Sequence, residues 1–310
     1  MGKYIVRRLL QMIPVIIGAT FLLYVLVFAL PGQPWQSHCG EKACSPGFIA
    51  KFIQDNNLDK PLLIRYFMYL GNVLHGNLGV SNYTNNTVLS DLATRYPTTL
   101  KLALIAVLFE IVIGILAGVL AGINKGRFID SLVTVASLVV ISIPIFVIGG
   151  LSQWSILKLG LNNVIPVTAS QGTWGQLILP GFVLGSLSVA YVARLTRTNL
   201  VENLRADYVR TARAKGLGPV RVIGLHTLRN SLIPVVTFIG FDFGGLMGGA
   251  IVTETIFNVH GIGFYIFTAL KQRDTTAVVG TVTVLVLVYL LANLLIDILY
   301  GVLDPRISHE

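Results

Sequence analysis

Six stretches of the chain stay apolar for roughly the length of a bilayer crossing. They are Leu9–Leu30, Leu100–Ile123, Ser131–Leu157, Leu177–Ala193, Ser231–Ile251 and Thr275–Tyr300. A hydrocarbon core about 30 Å thick needs about 20 apolar residues at the helical rise, so each predicts a transmembrane helix, the fourth being the shortest. The first and third hold no charged residue, whereas Glu110 and Asp242 sit near the middle of the second and fifth and Asp297 near the end of the sixth. The runs are continuously aliphatic, which excludes the ten-residue alternation of an outer-membrane barrel.

The segment 31–97 reads differently. Phe48, Ile49, Phe52 and Ile53 recur at helical spacing, as do Leu62, Tyr66, Tyr69 and Val73, with Pro61 suited to a first turn. Two short amphipathic helices in need of a partner surface are expected, followed by an Asn-rich turn region (Asn77, Asn82, Asn85, Asn86). Cys39 and Cys44, the only cysteines, fall in this insertion. In an oxidising compartment a small-loop disulfide is the first expectation. A metal site with His38 would be an incomplete ligand set.

Composition agrees with the pattern. Of 310 residues, 54% are hydrophobic and only 12% charged, about half the charged fraction of soluble domains, and mean hydropathy is +0.75. The net charge of +9 is explained by topology rather than by nucleic acid. Six spans put both termini on one side. That side then holds Lys3, Arg7, Arg8, Lys125, Arg127 and the basic run from Arg194 to Arg229, against Lys158, Lys271 and Arg273 in the opposite short loops. The excess marks the first side as cytoplasmic and the insertion as external. The expected organisation is a flank and first span (1–30), an external insertion (31–97) and a five-helix core (98–310) whose loop 198–230 is cytoplasmic.

That loop carries the most specific pattern. In D-Y-V-R-T-A-R-A-K-G (Asp207–Gly216), Asp207 is placed to cap a helix and Gly216 to end it in the left-handed conformation. Arg210, Arg213 and Lys215 lie toward the end where the helix dipole favours cations. A loop that merely fixed topology would need neither the cap nor the small pair Ala212 and Ala214 beside a glycine stop. The stretch resembles the coupling loop of ABC-importer permeases of the dipeptide, oligopeptide and nickel branch. Arg210, Thr211 and Ala212 stand where the wider superfamily has Glu-Ala-Ala, with Gly216 following. Leu30-Pro31-Gly32, Asn77-Leu78-Gly79 with Ser81, Arg95-Tyr96-Pro97 with Thr99-Leu100, Glu254–Gly263, Arg273-Asp274 and Asn293–Arg306 resemble further segments of that branch, in order and over nearly the whole chain.

The resemblance implies an all-α integral membrane protein of six transmembrane helices, with an external helical insertion after the first and a cytoplasmic coupling helix between the fourth and fifth. It implies half of a translocation pathway in a bacterial plasma membrane. The implied partners are a second permease, two ATPase subunits that receive Asp207, Tyr208, Arg210, Thr211, Ala212, Arg213, Ala214, Lys215 and Gly216 in surface clefts, an external solute-binding protein, and a peptide, nickel or glutathione substrate. No G-x-x-x-x-G-K-[ST] occurs, so ATP and magnesium are expected on the partners rather than on this chain, which would be no enzyme and hold no cofactor. A bulky or charged group at Ala212 is expected to clash in the ATPase cleft.

A proton-coupled carrier using Glu110 and Asp242 is the competing reading, but the internal repeat such carriers usually show is not evident. A membrane anchor without a pathway would leave the basic helix surplus. An ionised carboxylate at mid-span costs roughly 2.5–3.5 kcal/mol on insertion scales, so each acid must face a cavity, find a partner or be protonated. For Asp242, followed by Gly244 and Gly245 and then Gly248 and Gly249, a pathway lining that meets a peptide amino group and a hydrogen-bonded structural acid both stand. For Glu110 the structural role is preferred.

Overall fold

The computed structural model describes residues 2–29, 44–55, 57–247 and 250–303. Leu30–Gly32, Cys39, Gly248, Gly249 and Asp304–Arg306 lie outside these. The described residues are almost wholly helical, with one isolated bridge between Val80 and Thr87. In chain order the helices are α1 (Gly2–Ala29), α2 (Pro46–Asp55), α3 (Leu62–Leu74) and α4 (Val88–Ile123), the last with a π turn at Glu110–Gly114. They continue as α5 (Phe128–Ser142), α6 (Ile145–Lys158), α7 (Trp174–Asn203), α8 (Asp207–Ala214), α9 (Pro219–Ser231) and α10 (Ile233–Met247). The last three are α11 (Ile251–Ile256), α12 (Ile262–Lys271) and α13 (Thr275–Leu303).

Among the described residues four helices are long and apolar enough to cross a membrane: Val6–Phe28, Val88–Ile123, Trp174–Asn203 and Thr275–Ile298. Two helix pairs would raise the number to six, α5 with α6, bent by 104°, and α9 with α10, bent by 46°. Two sequence expectations change accordingly. The fourth apolar run, the shortest in sequence, is the middle of a 30-residue helix. The third run is two helices, because Pro144 has no N–H to donate and forces Ile143 out of the helical region to φ −94°, ψ 126°.

The centre of the fold is the parallel pair α4 and α7, packed along a glycine seam. A Cβ at Gly114 would lie 2.7 Å from the Val192 side chain, one at Gly118 2.6 Å from the Ala193 carbonyl, and one at Gly122 2.9 Å from Leu200. From the other side, a Cβ at Gly185 would lie 2.8 Å from the Ala106 carbonyl. Spacing by four places Gly114, Gly118 and Gly122 on one helix face, and their missing side chains let the backbones approach, as in small-xxx-small pairs of membrane helices. Because the two helices run in parallel, the insertion that leads into α4 and the loop that leaves α7 lie at opposite ends of the pair.

Around this centre Leu102, Ala106, Leu177, Val183 and Phe257 form the main apolar cluster. A second joins Val88, Leu92, Ile262, Tyr265 and Ala277. The insertion is tied down by aromatic packing. Tyr66 of α3 is buried against Tyr24 of α1 and Val279 of α13, and its hydroxyl shares a 2.9 Å hydrogen bond with Thr20 and donates to the Ile17 carbonyl at 3.0 Å. This is the partner surface that the amphipathic pattern of α3 called for. Aliphatic side chains such as Leu104, Leu108, Leu116 and Leu120 stand exposed on the side of α4 away from the seam.

Candidate functional site

The loop after α7 folds as its sequence suggests, with two changes. Gly216 adopts φ +78°, the left-handed stop. Its N–H donates to the Arg213 carbonyl and that of Leu217 to the Ala212 carbonyl, so the carbonyls at the end of α8 are satisfied. The first change concerns Asp207, which is the first helical residue rather than the cap. Ala206 holds the cap position without a side-chain hydrogen bond, and the exposed Asp207 carboxylate accepts from Arg210 at 3.4 Å. The second concerns Ala212, which faces inward at 6% exposure and packs with Val209, Val222 and Leu217. An added side chain there meets this small core before any neighbouring protein. The outward face of α8 carries Tyr208, Arg210, Thr211, Arg213, Ala214 and Lys215, all exposed, with Val220 of α9 exposed beside them at 85%. The result is a basic, partly apolar knob on a rigid stem.

The stem is braced. Arg197 of α7 donates through Nε and Nη2 to the two oxygens of Asp130, each at 2.8 Å, and Asp130 also accepts from the Gly126 N–H at 2.9 Å. This bidentate pair ties the turn between α4 and α5 to the helix that leads into α8. Neither residue was singled out by sequence reasoning, since a lone Asp and a lone Arg 67 positions apart carry no local signal.

The sequence weighed the two mid-span acids separately, and the structure sets them against each other. Glu110 is fully buried at the π turn of α4, and Asp242 of α10 is the acid that faces it within interaction distance. Neither Glu110 oxygen meets a donor, while Asp242 accepts from the Ser188 hydroxyl of α7 at 2.8 Å. Asp242 is half-buried.

At the opposite end of the α4–α7 pair, buried acids organise the turns. Glu254 of α11 accepts from the Thr99 hydroxyl at 2.7 Å and from the Phe264 N–H at 2.8 Å, and Thr99 accepts in turn from the Ile262 N–H at 2.8 Å. The carboxyl thus closes the start of α12, leaving no room for a side chain at Gly261, whose Cβ would lie 2.6 Å from both Glu254 oxygens. Burial pushes the Glu254 carboxyl up to about 7, against the pull of these hydrogen bonds. Asp91 accepts from Thr84, Asn86 and Tyr265. Asp274 caps α13 through the Ala277 N–H while accepting from Ser81 and the Tyr83 N–H. Four of the segments read in sequence as separate resemblances, those holding Ser81, Thr99, Glu254 and Asp274, therefore meet through hydrogen bonds at this end.

Comparison with known proteins is decisive. A family model described as the inner membrane component of binding-protein-dependent transport systems matches residues 114–309. A second, described as the N-terminal part of the membrane component of such systems, matches residues 1–103. The chain belongs to this family. It is 40% identical over 341 residues to a di/tripeptide transport system permease of Pseudomonas aeruginosa and 37% identical over 338 residues to a dipeptide transport system permease of Escherichia coli. It is 34% identical over 310 residues to a glutathione transport system permease of Salmonella typhimurium. Each alignment covers the whole of both chains. The chain is thus a multi-pass inner-membrane permease subunit of the ABC-importer class, and its basic loop lies between α7 and α10. Among the described residues no group of three or more His, Cys, Asp or Glu side chains is placed to hold a metal ion.

Proposed function

We propose that the chain forms one half of the translocation pathway of an ATP-driven peptide importer and that α8 is its coupling helix. The observation that supports this most is the exposed basic knob of α8, held by its own small core at the end of α7, which is in turn packed backbone to backbone on α4. A push on such a knob moves spans rather than bending a loop. In this reading two ATPase subunits, which carry ATP and magnesium, receive this helix and that of a second permease. A solute-binding protein docks at the opposite end, near the Asp91–Glu254–Asp274 cluster. The bent pairs complete six spans, both termini and α8 are cytoplasmic, and the insertion is external. Cys39 pairs with Cys44 there. Asp242, the half-buried member of the acid pair, is the candidate pathway residue, with Glu110 behind it.

The substrate reading follows the relatives named for di- and tripeptides. Glutathione, itself a tripeptide, is the second reading, favoured by the relative at 34% identity.

The test uses Gly216→Val, which strains the left-handed stop, and Ala212→Asp, which buries a charge in the core of α8. Both should insert and assemble yet lose uptake and substrate-stimulated ATP hydrolysis, and wild-type uptake in either sinks the assignment of α8. In intact cells a membrane-impermeant thiol reagent should label Asn86→Cys and miss Lys215→Cys; labelling of the latter reverses the orientation.

A further inference from the structure

Two carboxyl groups set against each other inside a membrane protein pose a physical problem that the fold must solve. Glu110 and Asp242 lie 132 positions apart in sequence, yet they face each other where α4 meets α10. Glu110 is 0% exposed and both of its oxygens lack a donor. An ionised carboxylate without a donor or cation is not tolerated in such a place.

Among the described residues no cation answers it. On α4 the nearest charged side chain is Lys101, nine positions away and stacked over the Trp174 ring at 5.7 Å. On α7 the facing polar group is Ser188, committed to Asp242 at 2.8 Å. The next ionisable groups of α7, Tyr191 and Arg194, are three and six positions further on, and Tyr191 is half exposed against the Phe238 ring. Helix α10 has no other charged residue. On α13, which packs on α10, Asn293 offers a buried Oδ1 without a donor beside Gly244, and Asp297 is paired with Arg8 at 3.3 Å. An acceptor facing an acceptor requires a hydrogen between them.

We propose that Glu110 and Asp242 form a proton-binding site, one proton being held between the two carboxyls as a hydrogen bond that pins α4 to α10. Two adjoining carboxyls that cannot both ionise share a proton in this way. Ser188 is the positioning residue, since its hydroxyl donates to Asp242 and turns the other oxygen of that carboxyl free for the shared hydrogen. The π turn at Glu110–Gly114 marks the point on α4 where the site is built, as such turns do at functional positions. The site does not depend on the transported substrate, and it stands apart from the reading of α8.

The test is infrared difference spectroscopy on the full-length protein purified from membranes in its native assembly. Glu110→Gln and Asp242→Asn each replace one acid by an amide whose N–H takes the place of the shared hydrogen, leaving the remaining carboxylate ionised and hydrogen-bonded. Wild type minus either variant should therefore show the loss of one protonated-carboxyl carbonyl band per chain, and of the same band in both. Glu254, present in all samples, cancels. A band lost in Glu110→Gln but kept in Asp242→Asn would mean that burial alone keeps Glu110 protonated, which overturns the sharing. No difference for either variant overturns the site altogether. If only one variant assembles, an unchanged band in that variant is sufficient to reject the proposal.

Discussion

Removing the Glu254 carboxyl is the sharpest perturbation of the turn cluster. In Glu254→Ala the Thr99 hydroxyl and the Phe264 N–H, now bonded at 2.7 and 2.8 Å, both lose their acceptor in a buried place. An unsatisfied buried donor costs about 1–3 kcal/mol, so a loss of about 2–6 kcal/mol is expected from the two, with α12 the first helix to loosen. Glu254→Gln keeps an acceptor for Phe264 and a partner for Thr99, and should cost only about 1 kcal/mol. The pH dependence separates the charge from the packing. The folded carboxyl lies at about 7 and the ordinary value is 4.5, so between these values the folded state keeps a proton that the unfolded state has released. Stability from this group is complete below about pH 4.5 and declines as pH rises through about 7. The two values lie about two and a half pH units apart, and at about 1.4 kcal/mol each the decline amounts to about 3.5 kcal/mol. Melting of the intact assembly in detergent between about pH 5 and pH 9 reads both effects. Wild type should melt progressively lower toward alkaline pH and Glu254→Gln should show a flatter profile. An unchanged slope in Glu254→Gln, or an Ala variant as stable as the Gln variant, refutes the account.

Three further outcomes follow from the geometry. Arg197→Ala strands the 7%-exposed Asp130 side chain with only the Gly126 N–H and should cost about 3 kcal/mol in a thermal melt, while Arg197→Lys, unable to donate in bidentate fashion, should recover only part. Gly118→Val drives a side chain toward the Ala193 carbonyl at 2.6 Å and should cost at least about 1–3 kcal/mol and reduce assembled protein in membranes, whereas Gly150→Val, with open space around it, should leave its amount unchanged. Intact-mass analysis without reductant should find the chain two hydrogens lighter than its reduced form, and alkylation of both Cys39 and Cys44 without prior reduction would rule their pairing out.

What the sequence revealed was local. Apolar run length located the long helices, three- and four-residue spacing found α2 and α3, and Gly216 announced its own positive φ. Pro144 was visible too, but inside an apolar run its effect on Ile143 went unused, and the 104° bend was missed. The glycine seam escaped for a different reason. Leu and Gly are both apolar, so hydropathy cannot tell the packed face of α4 from its exposed face, where Leu104 and Leu116 stand out. Glu110 with Asp242, Arg197 with Asp130 and Glu254 with Thr99 are contacts between distant parts of the chain, and single positions carry no sign of the partner. Asp207 shows the opposite error. Its residue type fits a cap, but the helix begins one residue earlier and Ala206 occupies the place.

The glycine seam also constrains the order in which the protein can be made. Helix α4 leaves the ribosome with its grooved face empty, and α5 and α6 must follow before the matching ridge of α7 exists. Until then Gly114, Gly118 and Gly122 expose bare backbone, and glycine is a poor helix former, at about 1 kcal/mol per residue relative to alanine. The ridge that fills them, Val192, Ala193, Thr196 and Leu200, belongs to the last turns of α7 to be synthesised before the basic loop. The central helix of the finished protein therefore cannot become rigid before α7 has been made, and a chain truncated before Val192 would insert α4 without closing its seam.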